Sequence, residues 1–141
     1  MYESLTKYIQ KLDNTNYGQI IIDNENDGTL EHPLVFPFVS YDRIVLDLVD
    51  DIYAFVNDHP EYELHRYNDI LAMNGIDWSN KSMEEADVAS LDGKAVMALL
   101  VGMLRADRFC EGAMFGFLKS GKVKEWLLRL KEIDMQYQDE K

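Results

Sequence analysis

The sequence is poor in the residues that cross-link or kink a chain, with one cysteine, Cys110, and three prolines among 141 residues. A single cysteine excludes an intramolecular disulfide and the cysteine-rich sets that hold structural zinc. A chain of this length buries roughly two thirds of the surface that its unfolded form exposes, so its core needs no staple. We expect one globular domain over residues 1–141 in a reducing compartment, with Cys110 as a small buried side chain.

Long apolar runs are also missing. The longest, residues 95–104 (AVMALLVGML), has ten residues, about half of the roughly 20 that a membrane-spanning helix needs. The first residues (MYESLTKYIQK) lack the basic segment and apolar run of a secretory signal. The sequence therefore predicts a cytoplasmic protein in which the apolar run is a buried helix.

Basic residues are scarce, and their distribution is uneven. The chain has 14 Lys and Arg against 26 Asp and Glu, a net charge of −12. Residues 1–90 hold 18 acidic and 5 basic residues, a net charge of −13, whereas residues 91–141 hold 8 and 9, a net charge of +1. An acidic surface repels nucleic acid and anionic membranes and attracts basic surfaces, so we expect neither direct nucleic-acid binding nor membrane binding.

Hydrophobic periodicity predicts a mainly α fold, a compact bundle of five to seven helices around a buried central helix at about 90–107. A small N-terminal β-hairpin is predicted from residues 19–23 and 34–39, and a disordered tail from residues 136–141. Ser90 or Asp92 is expected to cap the central helix, and close approach of another backbone is expected at Gly102. Helices are predicted over residues 1–14, 40–57, 63–74, 111–119 and from 122 onward, with a helical turn that Ser82 begins.

One predicted helix, residues 40–57, is apolar on one face and acidic on the other. Its acidic face and the residues that follow carry four carboxylates, Asp47, Asp50, Asp51 and Asp58. Such a face either keeps the helix solvated or forms an acidic ridge that binds a basic partner. We name these four residues as the candidate partner-binding site.

A second polar set, Arg105, Asp107 and Arg108, follows the apolar run directly. One interpretation is helix-end chemistry, with the arginines near the negative end of the helix dipole and Asp107 capping the next turn. The alternative is a pocket for a small anion, in a ligand-binding protein or an enzyme.

Metal and cofactor sites are not predicted. Residues 23–28 (DNENDG) resemble the start of a calcium loop, but Leu34 stands where the bidentate Glu is required, which favours an Asn/Asp/Gly turn. His32, His59 and His65 have no zinc-binding spacing, and no phosphate-binding loop or G-x-S-x-G motif is present. We therefore name no catalytic residue, cofactor or metal ligand.

The order of several short segments resembles a family of small uncharacterised bacterial proteins, a domain of unknown function. The segments are residues 26–29 (NDGT), 31–33 (EHP), 66–67 (RY), 70–71 (IL), 86–88 (ADV), 91–92 (LD) and 104–110 (LRADRFC), before Gly112. The family is similar to sequences from Gram-positive gut bacteria and their mobile elements. The resemblance implies a bacterial, cytoplasmic, single-domain protein with a mobile-element role, and it supplies no catalytic residue.

The last third of the chain has more large apolar side chains than one small core is expected to cover. Phe115 and Phe117 lie about 200° apart on a helix, so both cannot face the same neighbour. Either neighbouring helices of the same chain cover both faces, or the surplus forms a homodimer through the C-terminal third. The set comprises Phe109, Met114, Phe115, Phe117, Leu118, Trp126 and Leu128.

Two functions follow from these patterns. The first is a non-enzymatic acidic interaction or regulatory protein that binds a basic protein surface. In its specific form it inhibits a nucleic-acid-binding protein by charge mimicry, in a mobile-element or anti-defence role. The alternative is a small anionic-ligand binder or enzyme with its pocket near Arg105, Asp107 and Arg108.

Overall fold

The order of helices and strands is that of a mainly α protein with a small hairpin, as predicted. The computed structural model describes residues 1–13, 15–21 and 38–139, with side chains as far as Gln136. The hairpin pairs β1 (Gly18–Ile21) with β2 (Phe38–Tyr41) in antiparallel register. The helices are α1 (Glu3–Thr6), α2 (Tyr8–Leu12), α3 (Arg43–Asp58), α4 (Tyr67–Met73), α5 (Asn80–Glu85), α6 (Gly93–Phe109), α7 (Ala113–Lys119) and α8 (Lys122–Asp139), with 3₁₀ turns at Pro60–Tyr62, Leu64–Arg66 and Val88–Ser90.

The helix α6 is the buried central helix that the sequence predicts. All ten residues of the apolar run 95–104 are buried, and α4, α7 and α8 pack along its length. Its N-terminus is capped by Asp92, whose Oδ1 accepts a hydrogen bond of 2.9 Å from the amide of Ala95. Of the two predicted caps, Asp92 is therefore the right one, and its negative charge lies at the positive end of the helix dipole.

Gly102 in α6 is approached by side chains and not, as we expected, by another backbone. A Cβ at this position would lie 3.3 Å from Cε of Met83 and 3.5 Å from both Leu71 Cδ1 and Trp78 Cδ1. The indole Nε1 of Trp78 also donates a hydrogen bond of 3.0 Å to the carbonyl oxygen of Gly102. The glycine thus provides room for a tryptophan that is anchored to the helix backbone.

Several helix boundaries differ from the predicted ones because turn residues interrupt the apolar pattern. The helix α3 begins at Arg43, since Ser40 belongs to β2. The helix α4 begins at Tyr67, since Glu63 has a left-handed φ of 50° that breaks the predicted helix. The helix α5 begins at Asn80, and its cap is Ser79, not Ser82.

The two ends of the chain also differ from expectation. The predicted first helix is divided at Lys7 into α1 and α2, so the described chain has eight helical stretches; with these two counted as the one helix that the sequence predicts, there are seven, within the range of five to seven. The last helix, α8, continues to Asp139, past residue 136, where we expected a disordered tail to begin. Residues 140 and 141 lie outside the described residues, as does the calcium-like loop 23–28.

The N-terminus is held against the core by Tyr2. Its ring is 3 % exposed and stacks on Phe55 of α3, with centroids 5.4 Å apart. Its hydroxyl lies 2.6 Å from the hydroxyl of Tyr62, and its backbone amide donates to Asp134 of α8. Tyr2 lies directly against Gly93 at the start of α6, where a Cβ would overlap its hydroxyl group. The first turn of α6 therefore requires glycine.

We predict that Gly93→Ala lowers the free energy of unfolding by about 1–3 kcal/mol, because the added methyl group displaces the Tyr2 ring. Gly116→Ala in α7 is the matched control, since a Cβ there meets nothing within 4 Å. It is expected to be neutral or to stabilise by up to about 1 kcal/mol through helix propensity. Urea denaturation measures both, and equal midpoints for the two variants would show that Tyr2 does not constrain α6.

Candidate interaction surfaces

The helix α3 has the two-faced character that its sequence predicts. Its buried residues are Val45, Leu48, Ile52 and Phe55, and Val49 and Val56 are half-buried beside them. The face opposite this stripe is open to solvent along four turns of helix. The four candidate aspartates are on this side of the protein, and their surroundings differ.

Two of the four aspartates are used within the chain. Asp47 forms an ion pair of 3.0 Å with Arg43 one turn earlier. Asp51 accepts a hydrogen bond from the hydroxyl of Tyr8 and pairs with Lys7 at 3.2 Å, which joins α3 to the N-terminal helices. These two carboxylates therefore have structural partners, and Asp51 is only 31 % exposed.

The pKa of Asp51 is lowered, mainly by the hydrogen bond that it accepts from Tyr8 and then by Lys7. A carboxyl whose pKa is lower in the folded state stabilises the fold above its ordinary pKa of 3.8 and loses that contribution as the pH falls further. Burial and the same hydrogen bond raise the pKa of Tyr8, so its hydroxyl keeps the proton that it donates. The pair contributes to stability at neutral pH.

Asp50 and Asp58 are the exposed members of the set. Among the described residues, no cationic group lies within 4.0 Å of either carboxylate. Asp50 lies opposite the buried stripe of α3, at the centre of the solvent-facing side. The acidic ridge predicted from the sequence is thus reduced to two carboxylates that remain available to a partner.

Large apolar side chains lie beside Asp50, which the sequence analysis missed. Leu46 is 42 % exposed and Tyr53 is 37 % exposed, at four positions before and three positions after Asp50. Residues at this spacing share one helix face, and Asn57 extends the row by another turn. We call Leu46, Asp50, Tyr53 and Asn57 the outer face of α3. Its spacing was readable in the sequence, but exposure of the two apolar residues depends on what α3 packs against.

The structure does not bring Arg105, Asp107 and Arg108 together into one anion pocket. Oδ1 of Asp107 accepts hydrogen bonds from the hydroxyl of Tyr41, at 2.9 Å, and from the amide of Met114, at 3.1 Å. Asp107 lies two positions after Arg105, so their side chains point about 200° apart around α6. The interpretation that Asp107 caps the next turn agrees with these contacts.

The hairpin is attached to the helices through this carboxylate. The hydroxyl of Tyr41 in β2 donates to Asp107 and accepts a hydrogen bond of 3.0 Å from the amide of Phe115 in α7. Two residues before Tyr41 in the same strand, the amide of Val39 donates a hydrogen bond of 3.0 Å to the carboxylate of Glu111. Burial, and then the hydrogen bond to Asp107, raise the pKa of Tyr41, which keeps its hydroxyl protonated.

The C-terminal end of α6 exposes residues that we expected to be buried. Cys110 is exposed, contrary to our prediction, because α6 ends at Phe109 and the chain turns into solvent there. Phe109 is 81 % exposed and meets the half-buried Trp78 edge-on, with centroids 6.2 Å apart. The two aromatic residues border a hollow of about 160 Å³, which we call the Trp78 hollow; it is lined by Trp78, Ser79, Asn80, Met83, Ala106, Phe109 and Cys110.

Most of the apolar surplus in the last third of the chain is covered by the chain itself. Phe117 is 1 % exposed and packs against Trp126 at 5.3 Å, so both faces of α7 have intramolecular neighbours. Phe115 is half-buried, whereas Leu128 is 40 % exposed. The buried members are Met114, Phe117, Leu118 and Trp126.

The remaining candidates have ordinary surroundings. His59 stacks on Phe55 at 4.1 Å and pairs with Glu61, His65 is exposed, and His32 lies outside the described residues. Within residues 1–13, 15–21 and 38–139, no group of three or more His, Cys, Asp or Glu side chains is placed to hold a metal ion. No helix in the same part of the chain has the length and apolarity to cross a membrane.

Comparison with protein families matches residues 2–136 to a family described as "Family of unknown function (DUF6508)". The chain belongs to DUF6508. The match covers nearly the whole chain and supports the resemblance to a family of unknown function. Host range and a mobile-element role stay predictions. Searches of curated proteins and of solved structures gave no match for this DUF6508 member.

We predict that Tyr41→Phe destabilises the protein by about 1–3 kcal/mol, because the amide of Phe115 loses its acceptor in a half-buried place. Tyr53→Phe is the matched control, since its hydroxyl is on the exposed outer face of α3, and it should change stability by less than about 0.5 kcal/mol. Thermal unfolding followed by circular dichroism measures both.

A double-mutant cycle with Asp107→Ala isolates the contact between the hairpin and α6. We expect a coupling energy between about 0.5 and 3 kcal/mol for residues that share a hydrogen bond. Additive effects of Tyr41→Phe and Asp107→Ala would mean that the contact contributes nothing to stability.

Proposed function

We propose that this DUF6508 protein is a non-enzymatic binding protein that recognises a basic protein surface through the outer face of α3. The observation that carries the proposal is the row Leu46, Asp50 and Tyr53, in which an exposed carboxylate without a cationic partner lies between two exposed apolar side chains. A carboxylate that serves only to keep the helix solvated has no need of exposed apolar neighbours. Apolar neighbours at helical spacing are the pattern by which an amphipathic helix binds a groove.

The charge of the partner follows from the charge around this face. Residues 1–90 carry a net charge of −13, and two of the cations near α3 are already paired, Arg43 with Asp47 and Lys7 with Asp51. A basic surface is therefore attracted at long range, and an acidic one is repelled. Leu46 and Tyr53 then supply the short-range contact that distinguishes one basic partner from another.

Nucleic-acid-binding proteins are a class of partner that presents basic surfaces of this kind. In its specific form, the proposal is that the outer face of α3 and Asp58 occupy the phosphate-binding surface of such a protein and inhibit it by charge mimicry. A mobile-element or anti-defence role would accord with that activity. The apolar pair gives the interaction a protein-specific component that a nucleic acid lacks.

The alternative function, a small anionic-ligand binder or enzyme at Arg105, Asp107 and Arg108, has less support. Asp107 is engaged by Tyr41 and by the backbone of α7, so it is not available to position a ligand. Arg105 is half-buried and Arg108 is exposed, and neither contacts a carboxylate among the described residues. An anion site there would rest on the arginines alone.

Affinity capture from a bacterial lysate tests the proposed surface. We expect the wild-type protein to retain basic proteins at low salt and to lose most of them at about 0.5 M salt, as screening weakens an electrostatic contact. Asp50→Lys and Tyr53→Ala should each reduce capture at least about tenfold, the effect of losing roughly 1.4 kcal/mol. Mass spectrometry of the retained proteins gives the measurement.

Glu85→Lys is the matched control, because it makes the same change of charge at an exposed residue of α5. It should leave the captured set nearly unchanged. A captured set without basic proteins, or one indifferent to both salt and Asp50→Lys, would contradict the proposal. Loss of capture by Asp50→Lys together with retention by Tyr53→Ala would leave a charge contact without the specific apolar one.

A further inference from the structure

Phe109 is the most exposed aromatic side chain in the described part of the molecule, and its neighbour Trp78 is held rigidly. Trp78 donates its indole N–H to the carbonyl of Gly102 and packs edge-on against Tyr67, with centroids 5.4 Å apart. Its polar atom is thus satisfied inside the chain. What remains exposed beside Phe109 is apolar surface that does not need to reorganise before binding.

The Trp78 hollow matches the size of the side chain that borders it. Its volume of about 160 Å³ is close to that of an apolar cavity of roughly 150 Å³ that accepts benzene. Ala106 and the fully buried Met83 are among its apolar lining residues, and Ser79 and Asn80 are its polar ones. A phenyl ring brought in from outside fits this hollow, and the chain carries such a ring at its edge.

The two helices that contribute to the Trp78 hollow, α5 and α6, carry half-buried residues of opposite charge. Arg105 precedes Phe109 by four residues on α6, and Glu84 follows Asn80 by four residues on α5, so each shares a helix face with a residue of the hollow. Both are half-buried, and neither forms an ion pair with the other or with any further described residue. A second basic residue, Lys81, lies on α5 three positions before Glu84, about 60° from it around the helix axis.

We propose that a second copy of this chain occupies the Trp78 hollow, in a dimer with two-fold symmetry. A surface can bind its own copy only if it is self-complementary, with each feature meeting its counterpart across the axis. The Trp78 hollow has both halves of each contact. The Phe109 ring of one copy enters the hollow of the other, and Arg105 of one copy meets Glu84 of the other, so each contact occurs twice.

The distribution of charge agrees with this placement. The protein carries a net charge of −12, so an interface between two acidic surfaces would be opposed by repulsion. Four of the seven residues that line the Trp78 hollow lie within residues 78–83 and three within residues 106–110, and none of the seven carries a charge, so the acidic excess is not concentrated there. The interface differs from the set expected from sequence, because Phe117 and Trp126 are core residues, whereas Phe109 belongs to both sets.

This inference does not depend on the proposed function. The Trp78 hollow shares no residue with the outer face of α3, so the dimer leaves two outer faces available. Variants of one surface leave the other intact, which separates failure of the dimer from failure of partner binding.

Sedimentation velocity of the full chain, between about 1 and 200 μM, is the first test. We expect concentration-dependent formation of a particle of twice the 16.4 kDa monomer mass. Phe109→Ser should raise the dissociation constant at least about tenfold, because a buried phenyl ring is lost from each side. Met73→Ser is the matched control, since Met73 is 87 % exposed on α4 and does not line the hollow, and it should leave dimerisation unchanged.

A charge exchange tests the pairing across the axis. Arg105→Glu and Glu84→Arg should each weaken the dimer severalfold, and the double variant should regain most of the wild-type affinity, because the pair is restored with reversed sign. Circular dichroism melting of each variant shows that the monomer fold is retained. Additive weakening in the double variant would overturn the pairing of Arg105 with Glu84.

Cys110 provides a readout on the unaltered protein, because it is the only thiol in the chain and lines the Trp78 hollow. We expect its rate of reaction with a thiol reagent to fall as the protein concentration rises, in parallel with dimer formation. A wild-type protein that stays monomeric at 200 μM, a dimer unaffected by Phe109→Ser, or a thiol equally reactive in monomer and dimer would overturn the proposal.

Discussion

Burial of α6 on every side is the constraint on which the rest of the structure depends. Its ten apolar residues 95–104 have no polar face to offer to water, so each neighbouring helix has to present an apolar stripe of its own. The polar side chains of the helix are confined to its two ends. Asp92 satisfies the first turn, and Asp107 joins the last turns to the hairpin and to α7. The same demand explains the glycines of α6, because Gly93 and Gly102 make room for Tyr2 and Trp78 from segments distant in sequence.

Some of the acidic residues form ion pairs within the chain, and others do not. The presence or absence of such a pair separates carboxylates with a structural role from those that a partner could bind. Basic residues are scarce in residues 1–90, and those that form ion pairs neutralise a nearby acid. Lys7 pairs in this way with Asp51, and Arg66 with Asp69. Exposed ion pairs contribute little stability individually, so their main consequence is to change which charges a partner meets. Asp50 remains without such a partner, and it lies where two apolar residues are also left uncovered. A candidate binding surface is therefore defined as much by the pairing around it as by its own residues.

The parts of the fold that could be predicted from the sequence are those set by local patterns. Helical spacing located α3, α6 and α8, and the preference of Ser and Asp for helix N-termini limited the cap of α6 to Ser90 or Asp92. The errors fall where distant residues decide the outcome. Tyr41 and Asp107 are 66 residues apart, and nothing in the sequence near Asp107 indicates that its carboxylate accepts a hydrogen bond from Tyr41. The apolar surroundings of Cys110 in the sequence suggested burial, but its exposure depends on where α6 ends. The candidate site was predicted in part, because the periodicity of α3 gave its acidic face without showing which acids are paired.

Folding and binding make opposite demands on exposed apolar side chains, and the two surfaces satisfy those demands differently. Leu46 and Tyr53 are spread along a helix between polar residues, so each alone exposes little contiguous apolar area in the free protein. Phe109 is more exposed, and Trp78, Met83 and Ala106 make a hollow of matching size next to it, so a second copy covers both at once. A dimer would therefore remove Phe109 and the Trp78 hollow from water, and it would leave the outer face of α3 accessible on each of the two copies. Two outer faces on one particle would bind a partner with two basic sites through an intramolecular second step, raising avidity without any new contact. Weak individual contacts at Asp50 would then suffice for stable binding, since the gain in effective concentration comes from the geometry of the dimer and not from the strength of either surface.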